Sequence, residues 1–299
     1  MPVPAPDAPT FDLQAHSVAS DGELEPGEVV RCAAQAGVEL LALSDHDTVE
    51  GVEEALRAGE REGVRVVTAV ELSAVDGSHE DLHVLGYLID HRDATLAERL
   101  ADARADRVAR IEGMAAGLRA AGLELDGSLL DSLREAGRPV GRPHLARAVL
   151  AAAASAPALA DAGIDPGAPD AVGRVIERWL VPGAPAYVPR TRPRVETAIE
   201  WIHDAGGLAV WAHPFWNLAN ADAVATALDR YARAGLDGVE AFYPWHDAAQ
   251  TALLADRAEA LGLLSTGSTD FHGPGRAEFS AFRGFSLYGR GPRLGPIAG

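Results

Sequence analysis

Lysine is absent from this sequence: all 26 basic residues are arginine. P-loop phosphate binding and Schiff-base catalysis both need a lysine side chain, so neither chemistry is available to the chain. Cysteine occurs once, as Cys32, which excludes an internal disulfide. No apolar run approaches the roughly 20 residues needed to cross a bilayer, so no membrane partner is expected. The opening stretch MPVPAPDAPT has neither a basic nor an apolar region of the signal-peptide kind, and a cytoplasmic location is the expectation. A net basic balance is missing too. The formal charge of −18 argues against a sequence-independent grip on long nucleic acid, which rests on a basic surface, so an anionic substrate must be held locally.

What is present reads as a globular α/β protein. The 299 residues are 47% hydrophobic and 23% charged, enough for one large barrel or two ordinary domains. Short β-like runs fall near Phe11–Ala15, Leu40–Leu43, Arg65–Val70, Leu82–Leu88, Leu208–Ala212, Gly238–Phe242 and Leu263–Gly267. Helical patterns at Gly27–Ala36, Val49–Arg61, Val195–Ala205, Ala221–Ala234 and Asp247–Leu261 alternate with them, several ending in an Ala-Gly or Leu-Gly stop. That alternation predicts βα units and a mainly parallel sheet, closed or nearly closed into a barrel. From about Thr95 to Pro193 the chain instead reads as helix after helix, Thr95–Ala121, Gly127–Glu135, Arg142–Ala154 and Ala171–Leu180, as an inserted helical domain would. The tail after Phe271 is rich in Gly and Arg and is expected to wrap the surface.

Polar clusters sit where these strands end. His16 and Asp21 follow the first, Ser44–Thr48 (SDHDT) the second, Glu71 the third, His213 the fifth and Ser268–His272 (STDFH) the last. In parallel barrels the C-terminal ends of the strands share one face, and sites are built there. A single histidine at such a position is commonly just a satisfied polar residue. His, Asp and Glu gathered from five strands are a ligand set for Zn, Fe or Mn.

The series DLQAHSVASDG, LALSDHDTVEGVEEA, AVELSA, LHVLGY, GRPHLARAVL, GGLAVWAHP and GSTDFHG resembles, in order and along most of the chain, the polymerase-and-histidinol-phosphatase (PHP) family of metal-dependent phosphoesterases. Its nearest likeness is to the nucleoside 3′,5′-bisphosphate phosphatase and RNase AM branch. The resemblance implies a distorted (β/α)7 barrel: a first part at 10–94, a helical insertion for substrate recognition at 95–193, a second part at 194–275 and a C-terminal tail at 276–299. It further implies two to three divalent metals. The first would take Gln14, where the family usually has His, with His16, Glu71 and Asp270. The second would share Glu71 and add His83 and His213, and the third would use Asp21, His46 and His272. Asp21, His46, Glu71, His213 and His272 would carry catalysis, by water that the metals make nucleophilic. Asp45 and Asp47 would orient His46 and the neighbouring strand ends. The implied substrate is a phosphomonoester of a small nucleotide, a nucleoside 3′,5′-bisphosphate or AMP, or the 5′ end of a short RNA. Histidinol phosphatase and a non-catalytic nucleotide-binding module are the alternatives.

Several positions raise questions of their own. Gln14 offers an amide oxygen where an imidazole is usual; either it coordinates a harder metal such as Mn or Mg, or it only hydrogen-bonds a ligand. His83 stands at the start of its strand, so the loop or the strand direction must bring it to the rim. Arg142 and His144 open a predicted helix and Arg190 lies at the return to the barrel. They are candidate substrate contacts, since Arg binds phosphate as a bidentate fork. His246, after the sixth strand, is a further candidate at the substrate's edge. Arg107 and Arg110, at near-helical spacing, are expected on a solvated face.

Overall fold

Seven strands form one sheet in sequential order: β1 (Phe11–Asp12), β2 (Leu40–Leu43), β3 (Arg65–Asp76), β4 (His79–Tyr87), β5 (Leu208–Trp211), β6 (Gly238–Phe242) and β7 (Leu264–Gly267). The computed structural model describes residues 9–77, 79–135, 140–190, 193–218, 220–276 and 278–299. Residues 1–8, where no signal peptide is expected, lie outside the described residues. The pairs β1/β2, β2/β3, β5/β6 and β6/β7 are parallel. The sheet then curls until its ends meet. Leu13 N donates to Gly267 O at 3.2 Å, His16 N to Phe271 O at 2.7 Å, and Ala15 bridges Phe271 in parallel. A nearly closed barrel results.

One strand departs from the parallel expectation. β4 runs antiparallel to both β3 and β5. Only two residues separate β3 from β4, and so short a connection can join only antiparallel strands, with Gly77 turning at φ 60°.

Helices α1 (Pro26–Gln35), α2 (Val52–Glu62), α8 (Val195–Asp204), α9 (Ala221–Arg233) and α10 (Ala248–Leu261) pack outside the barrel. Their ends follow local rules. Asp247 accepts hydrogen bonds from Ala249 N and Gln250 N at 2.8 Å, while the Gln250 side chain accepts from Asp247 N at 2.9 Å, closing a capping box on α10. β6 is buried at every position, as a strand covered on both faces must be. Leu72, Leu85, Val210, Trp211, Leu228 and Phe242 are all fully buried in the main core, each side chain worth roughly 1.5–3 kcal/mol of burial. The tail does more than wrap: Phe285 and Ile297 join that core, and Phe282 stacks on Phe271 at 4.1 Å in a second cluster.

The chain forms two compact units, one from Met1–Ala101 with Arg192–Gly299 and the other Asp102–Thr191. The long helix α3 (Ala94–Ala120) begins in the first unit and continues in the second. The second unit also holds α4 (Gly127–Glu135), α5 (Arg142–Ala151), α6 (Ala156–Asp161) and α7 (Ala171–Trp179). Its own core is built from Met114, Leu118, Leu145, Val149, Val175 and Trp179. Arg110 corrects the expectation of a solvated face. It is 6% exposed, and its Nε donates to Val188 O at 2.8 Å, because the apolar face of α3 reaches one position further round than the charge spacing suggests.

Candidate metal centre

The rim of the barrel is assembled from strand ends that are tied to one another. After β1 the chain turns back sharply: Gly22 N donates to Ser17 O at 2.9 Å, and a Cβ on Gly22 would lie 2.3 Å from His16 O. Only glycine fits there, and the turn returns Asp21 toward His16. Asp45, at the end of β2, accepts from Ser17 N at 2.7 Å, Ser17 Oγ at 2.7 Å and Ser20 Oγ at 2.6 Å. Asp47 accepts from Ser73 N at 2.9 Å and Ser73 Oγ at 3.1 Å. The two aspartates therefore clamp neighbouring strand ends. Asp47, His213 and Asp270 have φ of 52°, 28° and 55°, a left-handed backbone costing of order 1–3 kcal/mol at a non-glycine residue, held by the surrounding structure.

The reversed direction of β4 answers the question of His83. Its early residues lie beside the late residues of β3 and β5: His83 pairs with Ser73, and its carbonyl accepts from Ala212 N at 3.1 Å. The strand begins at His79, earlier than the sequence suggests, so a histidine midway along an antiparallel strand reaches the same rim as residues at the ends of parallel ones.

Glu71 is the hub. His16 Nε2 lies 3.0 Å from Glu71 Oε2 and 3.0 Å from Asp270 Oδ1. Glu71 Oε1 lies 2.7 Å from His83 Nδ1 and 3.3 Å from His213 Nε2, and these two nitrogens are 3.3 Å apart. His46 spans to the outer cluster, with Nδ1 3.6 Å from Glu71 Oε2 and Nε2 3.9 Å from Asp21 Oδ1. His272 Nε2 stands 3.4 Å from Asp21 Oδ1. Exposure rises outward across the cluster. The Glu71 and His16 side chains are 0% exposed, Asp270 10%, and Asp21 36%. The opening therefore lies on the Asp21 side.

These contacts fit metal ions better than hydrogen bonds. His16 Nε2, His46 Nδ1 and Asp270 Oδ1 are buried and make no hydrogen bond, although His16 Nε2 and Asp270 Oδ1 are close to one another. Ligand atoms of His16, Glu71 and Asp270, of His46, Glu71 and His83, and of His16, Asp21, His46 and His272 each fall within 4.8 Å of one another. Buried polar atoms without partners are costly, and cations placed among nitrogen and oxygen donors would satisfy them.

The electrostatics match. Burial works to raise the carboxyl pKa of Glu71, but the surrounding histidines, His46 and His83 foremost, hold it well below the usual range. Asp270 is likewise brought down to about 2 by His272 and His16 against the effect of burial. Burial pushes His46 down to about 3, favouring the neutral imidazole a metal binds. For His16 burial is outweighed by Asp270 and Glu71, which lift it well above the ordinary value.

Gln14 takes its place behind the cluster. Its amide Nε2 donates to Glu71 Oε2 at 2.8 Å, and its carbonyl oxygen accepts from Ser268 Oγ at 3.3 Å. Ser268 Oγ also contacts Glu240, whose other oxygen accepts from His213 N at 2.8 Å. The sequence reading missed Glu240 and also Asp12, which accepts from Thr269 N at 2.8 Å, Thr269 Oγ1 at 2.6 Å and Arg283 N at 2.9 Å. Burial pushes Glu240 well above the usual carboxyl range and Asp12 up to about 7. An acid inside an otherwise apolar strand, as in GVEAF, is the signal that could have found Glu240.

The candidate substrate residues are dispersed. Arg142, His144 and Arg190 lie in the helical unit, where His144 Nδ1 accepts from Gly141 N at 3.0 Å and caps α5. His246 is buried, 2% exposed, with its ring against Phe215 and Tyr243 and its Nδ1 facing Ala241 O at 3.2 Å. Tyr243, not His246, reaches the cluster, its hydroxyl donating to Asp270 Oδ2 at 3.1 Å.

Comparison with known proteins gives a consistent family. Residues 12–125 match the PHP domain. A 3′,5′-nucleoside bisphosphate phosphatase from Chromobacterium violaceum is 34% identical over 271 residues, covering 89% of this chain and 88% of that one. A 5′-3′ exoribonuclease from Haemophilus influenzae is 31% identical, covering 88% and 90%. A phosphoribosyl 1,2-cyclic phosphate 1,2-diphosphodiesterase from Eggerthella lenta is 33% identical, covering 91% and 98%. Among solved structures, an amidohydrolase from C. violaceum with bound sulfate and no metal superposes with a TM-score of 0.73 at 32% identity, covering 92% of this chain and 91% of that one.

Proposed function

The chain belongs to the PHP family of metal-dependent phosphoesterases, and we propose that it hydrolyses phosphomonoesters of small nucleotides, nucleoside 3′,5′-bisphosphates first among them, with the 5′ ends of short RNA as a related substrate. The observation that carries this reading is the convergence of Asp21, Glu71 and Asp270 with five histidines, in which His16 Nε2, His46 Nδ1 and Asp270 Oδ1 are buried without a hydrogen bond.

In this reading His16, Glu71 and Asp270 hold a first metal, Glu71, His83 and His213 a second, and Asp21, His46 and His272 a third. Divalent ions there would offset phosphate charge and bring the pKa of water from about 15.7 toward 7. The protein's part is to fix the donors. Glu71, fully buried, would offer one carboxylate oxygen on the His16 side and the other on the side of His83 and His213. Tyr243 and the strained backbone at Asp270 hold that carboxylate in place. The first position has one imidazole and two carboxylates, against two imidazoles and one carboxylate in each of the others. That donor balance favours Mn at the first position and Zn or Fe at the others. Gln14 acts here by hydrogen-bonding Glu71, a second reading of its role that the Nε2 contact favours over coordination.

The test is phosphate release from adenosine 3′,5′-bisphosphate, AMP, histidinol phosphate, a 5′-phosphorylated oligoribonucleotide and a cyclic phosphodiester, with Mn²⁺ or Zn²⁺ added and the metal content of the purified protein measured. Preference for the bisphosphate supports the reading. Release from none of them, with tight nucleotide binding that Gln14→His does not convert to turnover, would make the chain a binding module instead.

A further inference from the structure

The histidines of the centre form an arc of touching rings. From His272 the centroid distances run 4.2 Å to His16, then 4.5 Å to His46, 4.8 Å to His83 and 5.1 Å to His213. Two further aromatic residues complete the circuit. Trp216 stands 6.4 Å from His213, Phe279 stands 5.4 Å from His272, and the two are 6.1 Å from each other. One side of the circuit thus carries no metal-ligating group at all. It is an indole and a phenyl ring, set directly against the outermost histidines at its two ends.

Trp216 is not there to fill a core. It is 54% exposed, among the most exposed large apolar side chains described, on a 3-10 turn (Pro214–Trp216) that starts from His213. Its position next to a centre built for phosphate narrows what could cover it. The ligand must place a flat, apolar-faced group about one ring beyond a phosphate.

We propose that Trp216, supported by Phe279, is the stacking surface for the nucleobase of the substrate and sets the preference for nucleotides over base-free sugar phosphates. This deepens the phosphoesterase reading above and rests on it. The ring faces every base alike, so the subsite selects for a base without selecting which one. A base stacked on an aromatic ring gains about 1–3 kcal/mol, or roughly tenfold to a hundredfold in binding.

The experiment compares adenosine 3′,5′-bisphosphate with ribose 3,5-bisphosphate, which keeps both phosphates and lacks the base, in the metal-loaded full chain. Trp216→Ala is expected to lower the ratio of kcat/KM for the two substrates by about tenfold to a hundredfold, and Trp216→Phe to restore most of it. Adenosine 3′,5′-bisphosphate should also quench tryptophan fluorescence in the native protein more than in Trp216→Phe. An unchanged ratio, or an equal loss on both substrates, overturns the proposal while leaving the phosphoesterase reading intact, since Trp216 would then only support His213. If the native protein hydrolyses neither substrate, the phosphoesterase reading fails and binding decides. A tenfold weaker Kd for adenosine 3′,5′-bisphosphate in Trp216→Ala sustains the stacking surface, and no binding or an unchanged Kd removes it.

Discussion

The barrel unit and the helical unit bury their side chains on different terms. Among the described residues, the helical unit buries only Arg110 and Ser155 as polar groups, inside a core of Leu, Val, Met and Trp. The barrel unit buries Asp12, Gln14, His16, Glu71, His213, Glu240, Asp270 and many more. Each such group costs free energy unless something compensates it. The helical unit has little to compensate and draws its stability from packing. The barrel unit carries a dense set of ionisable groups along one rim, held by clamps such as Asp45 and Asp47, and that burden makes sense where ions and a phosphate are to be bound.

The contrast can be broken most severely at Glu71. Glu71→Ala removes the carboxylate shared by both inner positions, and we expect phosphate release to fall roughly a thousandfold or more, with metal content lowered in elemental analysis. Retained activity at full metal content would dissolve the hub. In the helical unit, Leu145→Ala should cost about 2–5 kcal/mol in denaturant unfolding while metal content stays at the native level. Coupled loss of metal would show that the two regimes are not separate.

Asp12 sharpens the comparison through pH. Its folded pKa is raised to about 7 from an ordinary value of 3.8, chiefly by burial. A raised carboxyl contributes stability that is full below about pH 4 and lost as pH rises through about 7, in all up to about 4 kcal/mol. Asp12→Asn should flatten stability between these limits in metal-free protein, and an unaltered slope in pH-dependent unfolding would count against it. The smallest effect is expected at Gln14. Gln14→Ala should weaken metal retention at the first position about tenfold to a hundredfold, as loss of an orienting partner does, while Gln14→His raises its occupancy under dialysis. Equal occupancy of the first position in the native, Gln14→Ala and Gln14→His proteins would contradict this role for Gln14.

Much of this architecture was legible from local patterns. β2 and β6 are apolar runs between turn signals, and the expected bounds match those observed. The helix stops at Gly37 and Gly262 could be placed because glycine takes the positive φ a helix end requires, here 78° and 73°. The direction of β4 was not legible from strand and helix alternation, which says nothing about a two-residue hairpin. The histidines and acids at strand ends could be singled out since one face collects them, and the structure does bring them within a few ångströms. Through-space partners stayed hidden: nothing near Gln14 in the chain announces Glu71, 57 residues away, or Ser268, 254 away. Arg110 was misjudged because charge spacing on a helix does not reveal which neighbour will cover it. Phe282, Phe285 and Ile297 were lost in a Gly- and Arg-rich tail whose composition masks three anchors.

The β3–β4 hairpin also gives the centre a history. Glu71 and His83 sit on adjacent strands of one short hairpin, a contact of low sequence separation that forms early and fast in folding chains. The partners His16 and Asp270 come from opposite ends of the barrel and meet only when the last strand docks on the first. Two donors of the centre can therefore be in place while His16 and Asp270 await closure, and an ion joining these would fasten the two ends of the barrel together. The rate at which the first position fills during refolding is then expected to report the moment of closure, and the second position to fill ahead of it.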